Sequence, residues 1–238
     1  SWNTFCDLHK HAWFFHREAW IEYQMAYRPE NTDESFAVLV SDGSVVAVAP
    51  LVVSKGTGGA SEFSFSGSPT PRLLHHPRDG RFDPPGLHGV VEDQRRRVAK
   101  AHGVTRGVFG GWAFDGDANQ DSPVSLRVVD LTLDEATLWR GVRKSYKALI
   151  HRGERAHSFL ACDGGGYNSG VFRYEAMHRS IYGDPRPSET YTLQRAWVAS
   201  GLATIVEAIN GRGETVGAAL WYAYKSSAYY ASAAYAEN

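Results

Sequence analysis

Basic side chains gather on one face of a predicted helix near the middle of the chain. The helix begins at Thr132 and Glu135, which have the spacing of a capping box, and it runs to Arg152. At about 100° per residue, one arc holds Arg140, Arg143, Lys144, Lys147 and His151. The opposite arc holds Leu138, Trp139, Val142, Tyr146, Leu149 and Ile150. The pattern predicts an amphipathic helix that presents its cations together.

These cations suit a phosphate, a pyrophosphate or a carboxylate. Arginine donates paired N–H groups to such anions, and lysine supplies a mobile charge. From Arg140 to Lys147, no acidic residue follows a cation by three or four positions, so the cations repel one another unless an anion binds. We take as candidate substrate-binding residues Arg143, Lys144, Tyr146, Lys147 and Arg152. The alternative is a solvated outer face, which is the commoner use of a charged arc.

Aromatic side chains crowd the last two predicted strands, at Trp221, Tyr222, Tyr224, Tyr229, Tyr230 and Tyr235. Strand alternation sends Tyr222 and Tyr224 to one face and Trp221 to the other. Such residues often form core or cross-strand pairs, yet a row of phenols also suits a cleft for a polar substrate. Both interpretations stay open. Trp221, Tyr229 and the earlier Tyr182 join the candidate substrate-binding residues.

Glu207 is a lone carboxylate inside an otherwise apolar strand, Ala203 to Ile209. If its side chain faces the interior, burial should raise its pKa towards that of a general base. If it faces water, it is an ordinary strand residue, and we favour this second interpretation.

Other motifs are incomplete. The glycines after Cys162 have the spacing G-x-G-x-x-x-G, one residue too long for a dinucleotide-binding loop. No G-x-S-x-G nucleophile elbow occurs. Cys6, His9, His11 and His16 cluster, but without metal-ligand spacing, so we expect no metal site and no tightly bound cofactor.

Composition indicates an ordinary globular protein. Of 238 residues, 43% are hydrophobic and 21% charged, and the net charge is −1, which gives no general attraction to nucleic acid or anionic membranes. Two distant cysteines, Cys6 and Cys162, favour a reducing compartment. The chain lacks an apolar run of the roughly 18 residues that a membrane span needs. We expect a cytoplasmic location, and the oligomeric state stays open.

One order of elements occurs twice. A helix (Trp13 to Tyr27) precedes strands Phe36 to Val40 and Val45 to Val53, which flank Asp42-Gly43, and a third strand comes next at Glu62 to Phe65. Later, helices Val171 to Tyr182 and Glu189 to Ser200 precede strands Ala203 to Ile209, Thr215 to Tyr224 and Ala228 to Ala234. Two unrelated hairpins are the alternative.

The two copies differ after their third strand. The first continues through a Gly/Pro loop to a helix (Val90 to His102) and a strand (Gly107 to Phe114). The second reaches Asn238 directly after its third strand, so we expect the rest of that lobe to be missing or supplied by a partner. The predicted class is α/β with a mixed sheet, in two lobes, 1–124 and 125–238, the second incomplete at its C-terminus.

Several stretches resemble the FemAB-like branch of the Gcn5-related N-acetyltransferase superfamily (GNAT), whose members carry two such lobes in tandem. They are Trp20 with the hairpin to Val53, the loop Phe65 to Pro71, the helix Val142 to Arg152, and Val216 to Leu220 with Ala228 to Tyr230. The resemblance covers nearly the whole chain, and the order of the motifs is more specific than any one of them.

The resemblance implies transfer of an acyl group from a thioester donor to an amine. In this superfamily the donor lies in a splay between central strands, a backbone amide of the fourth strand polarises its carbonyl, and the next helix N-terminus holds its pyrophosphate. In the first lobe, residues 83 to 89 lack the Arg/Gln-x-x-Gly-x-Gly/Ala signature of that helix. In the second lobe we expect the helix just beyond Asn238.

Our leading hypothesis is an N-acyltransferase that acts on a small or cell-envelope precursor, with an acyl-CoA-type donor as cosubstrate and Tyr230 or Glu207 in proton transfer. One alternative is an aminoacyl-tRNA-dependent peptidyltransferase of the Fem type, the only case in which we expect a nucleic acid partner. Sustained heptads, as in the coiled-coil arm of tRNA-using relatives, are absent. The other alternative is a non-catalytic binding protein with a degenerate acyltransferase fold.

Overall fold

The computed structural model describes residues 1–56, 58–65, 73–75, 84–107, 128–162 and 169–236. Within them the α-helices are α1 (Trp2–Leu8), α2 (Glu18–Tyr27), α3 (Pro84–His102), α4 (Glu135–Gly141), α5 (Lys144–Ala156), α6 (Ser169–Tyr182) and α7 (Ser188–Ala199). The strands are β1 (Thr32–Asp33), β2 (Phe36–Leu39), β3 (Val45–Ala49), β4 (Val52–Lys55), β5 (Ser61–Phe63), β6 (Leu74–His75), β7 (Val104–Gly107), β8 (His157–Cys162), β9 (Ala203–Asn210), β10 (Thr215–Tyr224) and β11 (Ser227–Tyr235). The predicted α/β class is confirmed.

The chain divides into two compact units. The first comprises residues 1–124 and 187–193, and the second comprises residues 125–186 and 194–238. In the described residues, no helix is both long enough and apolar enough to cross a lipid bilayer.

The first unit contains two sheets with strand orders β1-β4-β5-β7 and β2-β3-β6. Strands β5 and β7 are parallel, and α3 is the crossover helix that such a pair requires. Helix α3 packs against both sheets, with Leu87 and Val91 on Ala47 and Ala49, and Val98 on Leu51, Val53 and Phe63. The apolar face of this one helix therefore links the two sheets.

Two predicted elements of the first unit are divided in the structure. The strand predicted from Val45 to Val53 is two strands, because Pro50, between β3 and β4, cannot donate a ladder hydrogen bond. The helix predicted from Trp13 to Tyr27 is a 3₁₀ turn (Phe14–His16) followed by α2. The turn packs edge-on aromatic rings, with 4.9 Å between the ring centroids of Phe15 and Trp20.

The second unit is built on an antiparallel sheet of order β11-β10-β9-β8. Helix α6 packs against β9, β10 and β11. Alternation in β9 and β10 buries Ala203, Ile205 and Glu207 with Ala218, Leu220 and Tyr222. These residues are cross-strand partners, so they share the face that α6 covers. Their neighbours on the opposite face are half-buried.

The prediction of one long helix from Thr132 to Arg152 is wrong. Asp134, not Thr132, is its N-cap and accepts from the backbone N–H of Thr137, while Thr132 bonds to Asp130. The helix then breaks at Val142 and Arg143, whose backbones are extended. The single wheel drawn through Leu138 and Ile150 therefore spans two separate helices.

Other predicted elements fall at the edges of the described residues. The strand predicted from Ser125 to Leu131 is absent from 128–131, where the chain is coil and turn, and 125–127 lie outside the described ranges. The strand predicted from Gly107 to Phe114 is replaced by β7, and 108–114 also lie outside them.

The β10–β11 turn offers a test of backbone strain. Tyr224 pairs with Ser227, so Lys225 and Ser226 form the turn, and Lys225 has a φ of 55°, where a β-carbon costs about 1 kcal/mol. Replacing Lys225 by glycine would relieve this strain but would also remove the contact of the Lys225 ammonium with the Tyr224 ring, 5.0 Å away. We expect Lys225→Gly to raise the free energy of unfolding by about 0.5 kcal/mol in urea titration. Ser226→Gly, which relieves no positive φ, should lower the free energy of unfolding. An equal increase for both variants would contradict the assignment of strain to Lys225.

Candidate functional site

A buried ion pair lies between α6 and the sheet of the second unit. Glu207 has no exposed surface, and its two oxygens accept hydrogen bonds from Arg173, from Nε to Oε1 and from Nη2 to Oε2, both at 2.6 Å. Thr215 donates to the same carboxylate at 3.2 Å, and the Cys162 thiol donates at 3.4 Å. The carboxylate is therefore fully bonded, which a buried charge requires.

This bonding decides the protonation state of Glu207. Its pKa is lowered, first because the Arg173 hydrogen bonds stabilise the charged form, while burial acts the other way with less effect. The same contact raises the pKa of Arg173. Glu207 thus faces the interior, contrary to our favoured prediction, and its pKa moves away from that of a general base. Its geometry is that of a structural anchor.

Arg173 bonds to Glu207, and part of its side chain is still exposed to solvent. Its side chain is 42% exposed although its partner is fully buried. It lines a cleft of about 500 Å³ whose other walls are Ala176, Met177, Ser180, Ile181, Thr215 and Ala236. The cleft therefore presents one solvent-exposed cation, the Arg173 guanidinium, among mainly apolar walls.

A second polar network ties α6 to β11. The Tyr174 hydroxyl lies 2.5 Å from the Ser232 hydroxyl, and Arg186 donates to the Tyr174 oxygen at 3.2 Å. Arg186 also donates to Nε2 of His178 at 2.7 Å. The pKa of His178 is lowered to about 4, first by burial and then by the charges of Arg186 and Arg179. His178 is therefore a neutral acceptor at physiological pH.

Ser232 lies next to an irregularity in β11. Ser232 pairs with Leu220 and Tyr230 pairs with Trp221, so Ala231 is one extra residue, a β-bulge. Among the described strands, β11 has a neighbour on one side only. The outer side of an edge strand carries backbone groups without ladder partners, and the extra residue of a bulge is left unpaired. The backbone at Ala231 is therefore a candidate hydrogen-bonding site.

The predicted aromatic residues divide between the two faces of the sheet. Tyr229 stacks on Tyr222 on the face that α6 covers, with 6.3 Å between ring centroids. Tyr230 and Trp221 make an edge contact on the opposite face, at 5.2 Å, and Tyr230 is 52% exposed. Tyr182 ends α6, with its ring 4.9 Å from His178. The cross-strand interpretation thus applies to Tyr229, which is half-buried, while Tyr222 and Tyr224 are core residues. The substrate cleft stays a prediction.

The predicted basic residues lie elsewhere. Arg143, Lys144 and Arg152 are exposed, and the Lys147 ammonium lies 5.5 Å from the Trp139 ring. Helix α5 leads directly into β8, which is the other outer strand of the sheet. Three strand spacings, about 14 Å, separate β8 from β11. The second unit therefore does not bring these cations together with Tyr230.

Sequence reasoning missed Arg173, His178 and Ser232. Arg173 sits in an ordinary helical pattern, and no local motif marks it as the partner of Glu207, 34 residues later. His178 bonds to Arg186, eight residues later and beyond the end of the helix. In the described residues no group of three metal-ligating side chains comes together. Comparisons with known proteins found no matching family model and no matching curated protein. Function is therefore inferred from these contacts and from the sequence resemblance.

The ion pair predicts an asymmetric response to mutation. Arg173→Met leaves a buried charge without its partner, which should lower the free energy of unfolding by about 3 kcal/mol, the low end for buried pairs because Arg173 is partly exposed. Adding Glu207→Met should restore most of the loss. Arg179→Met, on the same helix, removes the contacts with the exposed Asp184 and with Glu175, which keeps its bond to Arg195, so it should cost at most about 1 kcal/mol. Additive losses in the double variant, measured by urea unfolding, would contradict this account.

His178 predicts a pH dependence of stability. Its folded pKa of about 4 lies below the ordinary value of 6.5, so between these values the unfolded chain binds a proton that the folded chain does not. Stability therefore falls as pH drops through this window. From pH 7 to pH 5 the contribution is about 2 kcal/mol. His178→Gln should remove that fall in urea titrations, whereas the exposed His151→Gln should leave it unchanged. Parallel pH profiles for all three proteins would refute the assignment.

Proposed function

We propose that the protein is an N-acyltransferase that moves an acyl group from a thioester donor to an amine. The observation that carries the proposal is the bulged outer strand β11. Its open backbone at Ala231 suits a thioester carbonyl, which needs a hydrogen-bond donor as negative charge develops on its oxygen.

The order of elements from β8 to β11 supports this assignment. One strand, two helices and three further antiparallel strands occur in order, β8, α6, α7, β9, β10 and β11. In the superfamily that the sequence resembles, the fourth strand of the lobe polarises the donor carbonyl. Here the fourth strand is β11, the one with the bulge.

A side-chain nucleophile is not required by this chemistry. An amine attacks a thioester directly once the two are held together, so positioning and a proton acceptor suffice. The C–N bond forms as the C–S bond breaks, the nitrogen loses a proton to solvent and the leaving thiolate gains one. Tyr230 adjoins Ala231 and is exposed, and its hydroxyl is our candidate donor to the thiolate. Glu207 is not, since Arg173, Thr215 and Cys162 occupy its oxygens. The acceptor would be a small or cell-envelope precursor.

The test is release of free thiol from acetyl-CoA in the presence of a panel of primary amines. We expect amine-dependent thiol release and a rise in melting temperature on addition of acetyl-CoA. Ala231→Pro removes one amide N–H from an edge position that tolerates proline, so the rate should fall about 100-fold with little change in melting temperature. Ala231→Gly keeps the amide and should retain activity.

Two outcomes decide the matter. If no amine gives thiol release from acetyl-CoA, and acetyl-CoA leaves the melting temperature unchanged, acetyl-CoA is not the donor and the proposal fails in this form. If the parent is active and Ala231→Pro is equally active, the reaction stands but its placement at the bulge of β11 is wrong.

A further inference from the structure

Helix α5 carries apolar side chains that remain in solvent. Tyr146, Leu149 and Ile150 are 56%, 54% and 38% exposed, and no residue of α5 is buried. Phe159 and Leu160 of the following strand β8 are also about half exposed. An amphipathic helix of a globular domain normally turns its apolar side into the core, so this exposure calls for an occupant.

The charges around this apolar stripe indicate the chemistry of the occupant. On a wheel drawn for α5 alone, Tyr146, Leu149 and Ile150 span an arc of about 100°. Lys147 and Arg152 lie about 60° beyond the two ends of the arc, with Glu154 between Ile150 and Lys147, and Lys144 and Arg155 lie opposite the arc. The one acidic residue of α5, Glu154, bonds to His151 at 3.0 Å. An apolar stripe bordered by cations is the pattern of a helix that lies in a membrane interface.

We infer that α5 docks on the surface of an anionic lipid bilayer, with Leu149 and Ile150 inserted among the acyl chains and the lysines and arginines at the headgroups. A nucleic acid would satisfy the cations but would leave the aliphatic side chains in water. A bilayer accepts the aliphatic side chains among its acyl chains and the cations at its headgroups. The net charge of the whole protein is −1, so the attraction is local to this helix.

The inference goes beyond acyl transfer, and its test needs no substrate. Vesicles of phosphatidylcholine with phosphatidylglycerol, and vesicles of phosphatidylcholine alone, are sedimented with the protein at low and high salt. We expect the protein to sediment with the anionic vesicles at low salt and to be released by high salt, since each cation near the surface contributes about fivefold. Absence of sedimentation with anionic vesicles at low salt would overturn the inference.

Variants separate insertion from simple charge attraction. Leu149→Gln with Ile150→Gln should weaken partition into anionic vesicles by about tenfold or more. Because Leu149 and Ile150 are 54% and 38% exposed and belong to no buried cluster, the fold should be kept, which circular dichroism and the melting temperature check. Val90→Gln is the matched control, since Val90 is 53% exposed on helix α3. Equal partition of the double variant and the control would overturn insertion, and retention on polyuridylic acid in place of vesicles would point to nucleic acid instead.

Discussion

The second unit depends on one contact, the bidentate ion pair between Arg173 and Glu207. A carboxylate with no exposed surface would be costly in an apolar strand without compensating donors. Here the donors come from three other elements: Arg173 from α6, Thr215 from β10 and Cys162 from β8. The charge therefore fixes the position of the helix on the sheet and the spacing of three neighbouring strands, which apolar side chains of similar size would specify less sharply.

This contact also determines where chemistry can occur. Since the oxygens of Glu207 are occupied and its pKa is lowered, the centre of the sheet is closed to proton transfer. The two outer strands differ in kind. The β11 side offers backbone amides and the exposed Tyr230, while the β8 side carries α5 with its cations and exposed aliphatic residues. One sheet thus holds a candidate reaction edge and a candidate docking edge about 14 Å apart.

Local signals in the sequence predicted much of this sheet. The predicted span of β10, Thr215 to Tyr224, matches the structure, because alternation there is long and both flanking turns are rich in turn residues. The break between α4 and α5 was missed, because a helical wheel assumes one axis and Asp134 competes with Thr132 for the N-cap. The state of Glu207 was missed for another reason: its partner lies 34 residues earlier, and only the tertiary fold brings Arg173 to it.

The bulge at Ala231 changes how the length of β11 can vary. In a regular strand, loss of one residue sends every later side chain to the opposite face of the sheet. Position 231 is different, because it is the surplus residue between two paired positions. Its loss would keep Ser232 and Ala234 against α6 and would straighten the strand. A one-residue deletion at this position in a homologous sequence would therefore keep the fold and remove the bulge. A deletion at Ala233 would instead turn Ala234 out of the core.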